Sequence, residues 1–189
     1  GLDAARFALD DVAREEARAL RVSLAGDAPL ALFVGRLIGY KGLDVLVRAM
    51  AATPGAHVAI AGDGPMKDEI ARQVAEAGLA GRVHLLGAVA EETKLRLLGC
   101  ADAFVLPSVT NAEAFGIVQV EAQMCGLPVV ASNLPTGVSD VTVDGETGFL
   151  VPPGDIDALS GALGALLADK ARAMRMGAAG RDQIGRAHV

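Results

Sequence analysis

Short continuous apolar runs, each followed by a helical stripe, recur along the chain and restrict its fold more than any other feature. Leu30-Ala31-Leu32-Phe33-Val34 is apolar throughout and stops at Gly35. Such a run suits a strand buried on both faces, the condition of a parallel sheet. Leu43, Leu46, Val47 and Met50 then fall on one face of a helix. Further strands read at Val58-Ala59-Ile60-Ala61, Val83-His84-Leu85-Leu86, Ala103-Phe104-Val105-Leu106, Pro128-Val129-Val130-Ala131 and Gly148-Phe149-Leu150-Val151. Helices are expected over 66–77, 91–98 and 115–126 between them, over 155–168 and 170–184 after them, and over 11–20 ahead of the first. Asp155, after Pro152-Pro153-Gly154, is placed to cap the helix it begins. The pattern predicts one α/β domain over 1–189: a doubly wound, mostly parallel six-stranded sheet with helices on both faces, Rossmann-like. Ligands of such sheets lie off the carboxyl ends of the strands, so the loops there are the ones to inspect.

Composition removes several classes of function. The 17 Lys and Arg against 23 Asp and Glu leave a net charge of −6, which argues against coating nucleic acid, a task for a basic face. No apolar run approaches the roughly 18–20 residues that span a bilayer. Gly1-Leu2-Asp3-Ala4-Ala5-Arg6 lacks the basic-then-apolar layout of a signal peptide. Cys100 and Cys125 fit no metal-ligand spacing and read as small buried hydrophobes in a reducing, cytoplasmic compartment. His57 and His84 fall on strands and His188 at the extreme end, none with a second ligand at metal spacing, so no metal site is expected. There is neither a G-x-S-x-G elbow nor a P-loop.

The first loop, Gly35-Arg36-Leu37-Ile38-Gly39-Tyr40-Lys41-Gly42, packs two cations among glycines. A guanidinium fork and an ammonium on open backbone suit phosphate oxygens, although two solvated charges in a turn would look the same. Gly62-Asp63-Gly64-Pro65 starts like a dinucleotide fingerprint, but Lys67 stands where the third glycine belongs, and a tight turn accounts for it.

The fourth loop carries the strongest signal. A helix starting near Phe115 would leave the amides of Phe115, Gly116 and Ile117 unpaired at its positive end, a ready site for phosphate or a sugar hydroxyl. Glu113 precedes that helix, either as an ordinary acid at a helix start or as a ligand for hydroxyls. Glu121 follows among Val118, Val120, Ala122 and Met124. An acid in such company is costly to bury and calls for a partner. Asp144-Gly145-Glu146-Thr147-Gly148 is a turn signal.

Together these residues resemble the retaining glycosyltransferases of the group 1, family 4 superfamily, which have the two-domain GT-B fold. The resemblance rests on Gly35-Arg36-Leu37 with Lys41-Gly42, on Gly62-Asp63-Gly64-Pro65, and on the E-x7-E pair of Glu113 and Glu121. It continues through Gly126-Leu127-Pro128-Val129-Val130-Ala131 and from Asp144-Gly145-Glu146-Thr147-Gly148 to Asp155, in order over 35–155. It implies the C-terminal, nucleotide-sugar-binding domain of a hexosyltransferase of polysaccharide, lipopolysaccharide or glycolipid synthesis. A UDP- or GDP-sugar would be the donor. Arg36 and Lys41 would neutralise its diphosphate, Glu121 would hold the ribose and Glu113 the transferred sugar. The amides of Phe115, Gly116 and Ile117 would face sugar and phosphate, with Gly35, Gly62 and Gly64 in the surrounding loops and Val89 near the base.

On the same resemblance no metal or other cofactor is needed, because the cations stabilise the departing diphosphate. The acceptor would belong to an N-terminal domain outside this sequence, so that the chain alone transfers no sugar. Gly1-Leu2-Asp3 resembles the segment after the interdomain linker, and after Arg186-Ala187-His188-Val189 the family continues into a helix that crosses back. The longer protein would be cytoplasmic or peripheral to the inner face of a membrane. Two other readings stay open: another GT-B nucleotide-sugar enzyme such as an epimerase, or a non-catalytic Rossmann-like nucleotide-binding module.

Overall fold

A computed structural model of the chain describes residues 4–187. The readings made at Gly1-Leu2-Asp3, His188 and Val189 lie outside the described residues. Six strands, β1 (Leu30–Val34), β2 (His57–Ala61), β3 (Val83–Gly87), β4 (Ala103–Leu106), β5 (Val129–Ser132) and β6 (Gly148–Val151), form one sheet. Its order is β3-β2-β1-β4-β5-β6 and every pairing is parallel. Strand order therefore reverses between β1 and β4, and in sheets of this kind the crevice at the carboxyl ends of the reversing pair takes the ligand.

The helices are α1 (Asp11–Ala25), α2 (Leu43–Ala51), α3 (Lys67–Glu76), α4 (Glu91–Cys100), α5 (Ile117–Met124), α6 (Gly137–Val141), α7 (Ile156–Ala168) and α8 (Lys170–Ala187). Alternate residues of each strand serve opposite faces of the sheet. Phe33, Ile60 and Val105 meet Leu46, Met50 and Leu163 on one face, the side of α2, α3 and α7. Leu32, Ala59 and Phe104 meet Ala17, Leu97, Leu98 and Ala122 on the other, the side of α1, α4 and α5. No helix among the described residues is long and apolar enough to cross a membrane.

Two helix boundaries and one additional helix depart from expectation in ways the backbone explains. α1 runs on to Ala25, stopped by Gly26 at φ 57, whose N–H donates to the Val22 carbonyl. The exposed Val22 breaks the apolar stripe that would have shown this in sequence. α5 begins at Ile117, not Phe115, because Gly116 is left-handed at φ 65 and starts the helix from that turn. Its far end closes as a Schellman motif, with Leu127 N–H on the Ala122 carbonyl and Gly126 N–H on that of Gln123. The short α6, not anticipated, is capped by the Thr136 hydroxyl on Val138 N–H. Asp155 caps α7 as expected, accepting from Ala158 N–H.

Candidate functional site

The loops after β1, β2 and β4 are clamped together by their backbones. Gly35 N–H donates to Ala61, Leu37 N–H to Asp63 and Met66 N–H to Leu37. A Cβ on Gly62 would stand 1.8 Å from the Gly35 carbonyl oxygen, and one on Gly64 2.5 Å from that of Leu37. These glycines thus admit the chain's own neighbouring loop. The turn Gly39–Lys41 ends at Gly42, whose Cβ would sit 2.0 Å from the Pro107 carbonyl oxygen, while Val109 N–H donates to Tyr40. The β1 loop is thereby pressed against the β4 loop, and this delivers Lys41 to Glu113.

Glu113 is only 6% exposed. Its Oε2 accepts from Lys41 Nζ at 2.5 Å and from the buried Ser108 hydroxyl at 2.8 Å. Its Oε1 has no hydrogen-bond partner among the described residues and is not sealed from solvent. Arg36 stands exposed in the same loop, with neither a hydrogen bond nor an ion pair among the described residues. One cation is therefore half-buried and engaged, the other free.

The amides of Phe115, Gly116 and Ile117 likewise donate to nothing among the described residues. With α5 starting at Ile117, only the last of the three belongs to the first helical turn; the other two project from the turn that leads into it. Gly116 is required by its positive φ and because a Cβ would meet Leu106 Cδ2 at 2.5 Å. The Phe115 and Ile117 side chains are 45% and 61% exposed, an apolar lip beside these donors. Behind them Gly137 N–H donates to Ala114, and buried Gln119 bonds the Phe115 and Val138 carbonyls while accepting from Thr142.

Glu121, 7% exposed, has the partner its surroundings called for: Lys94 of α4, Nζ to Oε2 2.8 Å. Its Oε1, like that of Glu113, has no partner among the described residues. Lys94 also lies 3.0 Å from Glu91, which pairs with Arg6 at 2.7 Å. Burial pushes the Lys94 ammonium down, but its bonds to Glu121 and Glu91 outweigh that and hold it above the ordinary lysine value. Val89, in the loop between β3 and α4, packs on the same apolar cluster as Leu86.

Sequence reasoning missed Ser108, Lys94 and Gln119. A buried serine carries no pattern, and Lys94 sits 27 positions from Glu121 on what reads as a solvated helix face. It also missed that His57 and His84 meet across β2 and β3, Nδ1 to Nε2 3.0 Å with stacked rings. No group of three or more side chains suited to a metal occurs among the described residues. A cavity of about 770 Å³ lies between α1 and α8 at the opposite, amino ends of β4 and β5. Its Arg21 and Arg181 are already spent on the Cys100 and Cys125 carbonyls.

Fold and site together define a doubly wound α/β domain whose crevice offers cations, free amides and half-satisfied carboxylates to an anionic, hydroxyl-rich ligand. The chain belongs to the glycosyl transferases group 1 family, whose model matches residues 16–183. It is 38% identical over 190 residues to a GDP-mannose-dependent alpha-(1-6)-phosphatidylinositol monomannoside mannosyltransferase of Mycolicibacterium smegmatis, matching 96% of this chain and 49% of that protein. It is 44% identical over 122 residues to the D-rhamnosyltransferase WbpZ of Pseudomonas aeruginosa, over 65% of this chain and 32% of that one. The crystal structure of Anabaena HepE in complex with UDP-glucose superposes with a TM-score of 0.89 at 26% identity, over 98% of this chain and 51% of that chain. The chain thus spans about half the length of the first of these relatives, and its fold is that of the C-terminal GT-B domain.

Proposed function

We propose that this chain is the donor-binding domain of a retaining glycosyltransferase that passes a hexosyl group from a nucleoside-diphosphate sugar to an acceptor held by a further domain. The observation that supports the reading is a set of hydrogen-bonding groups without partners among the described residues, in the loop after β1 and in the loop and helix after β4: Arg36, the amides of Phe115, Gly116 and Ile117, and Oε1 of both Glu113 and Glu121. Arg36 and the amides bind the diphosphate, joined by Lys41, which then divides its charge between Glu113 and phosphate. Glu113 Oε1 accepts from hydroxyls of the sugar and Glu121 Oε1 from the ribose diol. Gly35, Gly62 and Gly64 shape the loops that carry these groups, and Val89 flanks the base.

As the glycosidic bond to the diphosphate breaks, negative charge grows on the leaving phosphate oxygens while the sugar becomes oxocarbenium-like. Fixed cations and helix-end amides stabilise that charge more in the transition state than in the ground state. These groups take the place a divalent metal has in other sugar transferases, so no metal is required. The anomeric configuration is kept. The setting is glycolipid or polysaccharide synthesis in the cytoplasm, with the longer protein at the inner face of a membrane. Burial pushes the Cys100 thiol up to about 11 and Cys125 to about 12, which suits unreactive thiols in a reducing compartment.

Titration calorimetry of the chain with GDP, UDP and NAD, with and without Mg²⁺, tests this. The name of the mannosyltransferase relative makes GDP the first ligand to try. Binding of a nucleoside diphosphate without Mg²⁺ is expected; preference for NAD, or strict Mg²⁺ dependence, contradicts it. The chain extended by the acceptor-binding part is expected to give a product of unchanged anomeric configuration by NMR.

A further inference from the structure

The two buried acids of the crevice are built alike. Each gives Oε2 to a lysine from another element, Glu113 to Lys41 and Glu121 to Lys94, and each leaves Oε1 without a partner among the described residues. A buried ion pair kept for stability alone is a poor investment, since apolar residues of similar volume often serve as well or better. A pair in which one oxygen is pinned and the other left open is better explained as a device for aiming a carboxylate.

Lys94 has further features of such a device. Its side chain is 15% exposed, so the stem is packed and the ammonium has little room to move. It is braced from the other side by Glu91 at 3.0 Å, and Glu91 by Arg6 at 2.7 Å. The charges alternate along this row, Arg6, Glu91, Lys94, Glu121, and run from the 3-10 turn Ala4–Phe7 through the first turn of α4 to the second turn of α5. The outer end is open to solvent, so its contribution is small; the inner end is not.

We propose that Lys94 is a positioning residue for nucleotide recognition: by binding Oε2 it fixes the Glu121 carboxylate and turns Oε1 toward the ribose hydroxyls of the donor. This rests on the assignment of Glu121 to the ribose. Lys94 touches no part of the donor in this scheme and acts only through Glu121.

The test compares GDP with 2′,3′-dideoxy-GDP, and UDP with its dideoxy analogue, by calorimetry on the wild-type chain and on Lys94→Met, Lys94→Gln and Lys94→Arg. Thermal unfolding is followed alongside. Wild type is expected to bind the ribose form about tenfold more tightly, the scale of one hydrogen bond to a charged group. Lys94→Met is expected to bind the ribose form as weakly as the dideoxy form, whose affinity stays unchanged. Lys94→Arg restores most of the difference, and Lys94→Gln, which keeps a neutral donor, falls between. Should Lys94→Met not fold, the Gln and Arg pair still decides. Undiminished ribose preference in the folded Met or Gln variant overturns the positioning role, and so does equal loss of both ligands. No ribose preference in wild type overturns instead the assignment of Glu121 on which the role depends.

Discussion

At the amino ends of the strands three arginines bond backbone carbonyls that the helices leave open. Arg21 donates to the Cys100 and Ala28 carbonyls and to Asp102, Arg82 to the carbonyls of Met50, Thr53 and Ala56, and Arg181 to that of Cys125. Those carbonyls belong to the last turns of α2 and α4 or to the segments that follow α1, α2 and α5, where a cation is favoured both by charge and by the lack of helical partners. At the carboxyl ends of β1 and β4 the same kinds of group are left unmet: Arg36 pairs with nothing described, three successive amides donate to nothing described, and two buried carboxylates are half used. One domain therefore treats its two ends oppositely. Polar groups at the arginine-rich end are mostly satisfied within the fold, with buried Gln123 Oε1 an exception, whereas the groups proposed to meet the donor keep bonding capacity free.

Mutation can break this contrast at either end. Arg21→Ala should give the largest effect, a loss of about 2–4 kcal/mol in urea unfolding, since it strips two carbonyls and the part-buried Asp102 of their donor. Donor binding should be unchanged, and a fall in it would show that the two ends are not separate. Next comes the first loop. Arg36→Ala is expected to weaken diphosphate binding by about 1.5–3 kcal/mol in calorimetry while stability moves by less than about 0.5 kcal/mol. Lys41→Ala should weaken binding over the same range but also destabilise the chain, because it leaves Glu113 buried without its cation. Equal stability losses for the two would erase the distinction between a free and an engaged cation.

Glu121→Ala should cost about 1.5 kcal/mol in affinity for a ribonucleoside diphosphate and spare the 2′,3′-dideoxy form, by the same calorimetry. The smallest effect belongs to a site outside both ends. Burial, together with the charge of His57, holds His84 below its ordinary value of 6.5. The unfolded chain thus binds that proton more readily, so stability is fully present above about 6.5 and declines as pH falls below it. His84→Gln should make the unfolding midpoint less dependent on pH between pH 7 and about 5. An unaltered pH profile contradicts the pairing.

How much of this was legible in the sequence follows from whether the signal was local. The ends of β1, β4 and β6 could be read residue by residue because Gly35, Pro107 and Pro152 cut short unbroken apolar runs. The start of α5 was misplaced by two residues, since no propensity reveals that Gly116 turns left-handed before the helix begins. α6 was missed because Gly137-Val138-Ser139-Asp140-Val141 is too short for a stripe and rich in turn-forming residues. Within the crevice, Arg36, Lys41, Glu113 and Glu121 were visible as charges where the pattern asked for something else. Lys94, Ser108 and the pairing of His57 with His84 were not, because each acquires its meaning from a partner that only the fold brings near.

The contrast between the two ends is tested most directly by following backbone amides in ¹H–¹⁵N spectra while GDP or UDP is added. The amides of Phe115, Gly116 and Ile117 should move first and furthest, and those of Cys100, Ala101 and Cys125 at the arginine-closed end should stay still. Shifts concentrated around Arg21 and Arg181, with residues 115–117 unmoved at saturation, would contradict the claim that the unspent groups of the carboxyl end are the ones that hold the donor.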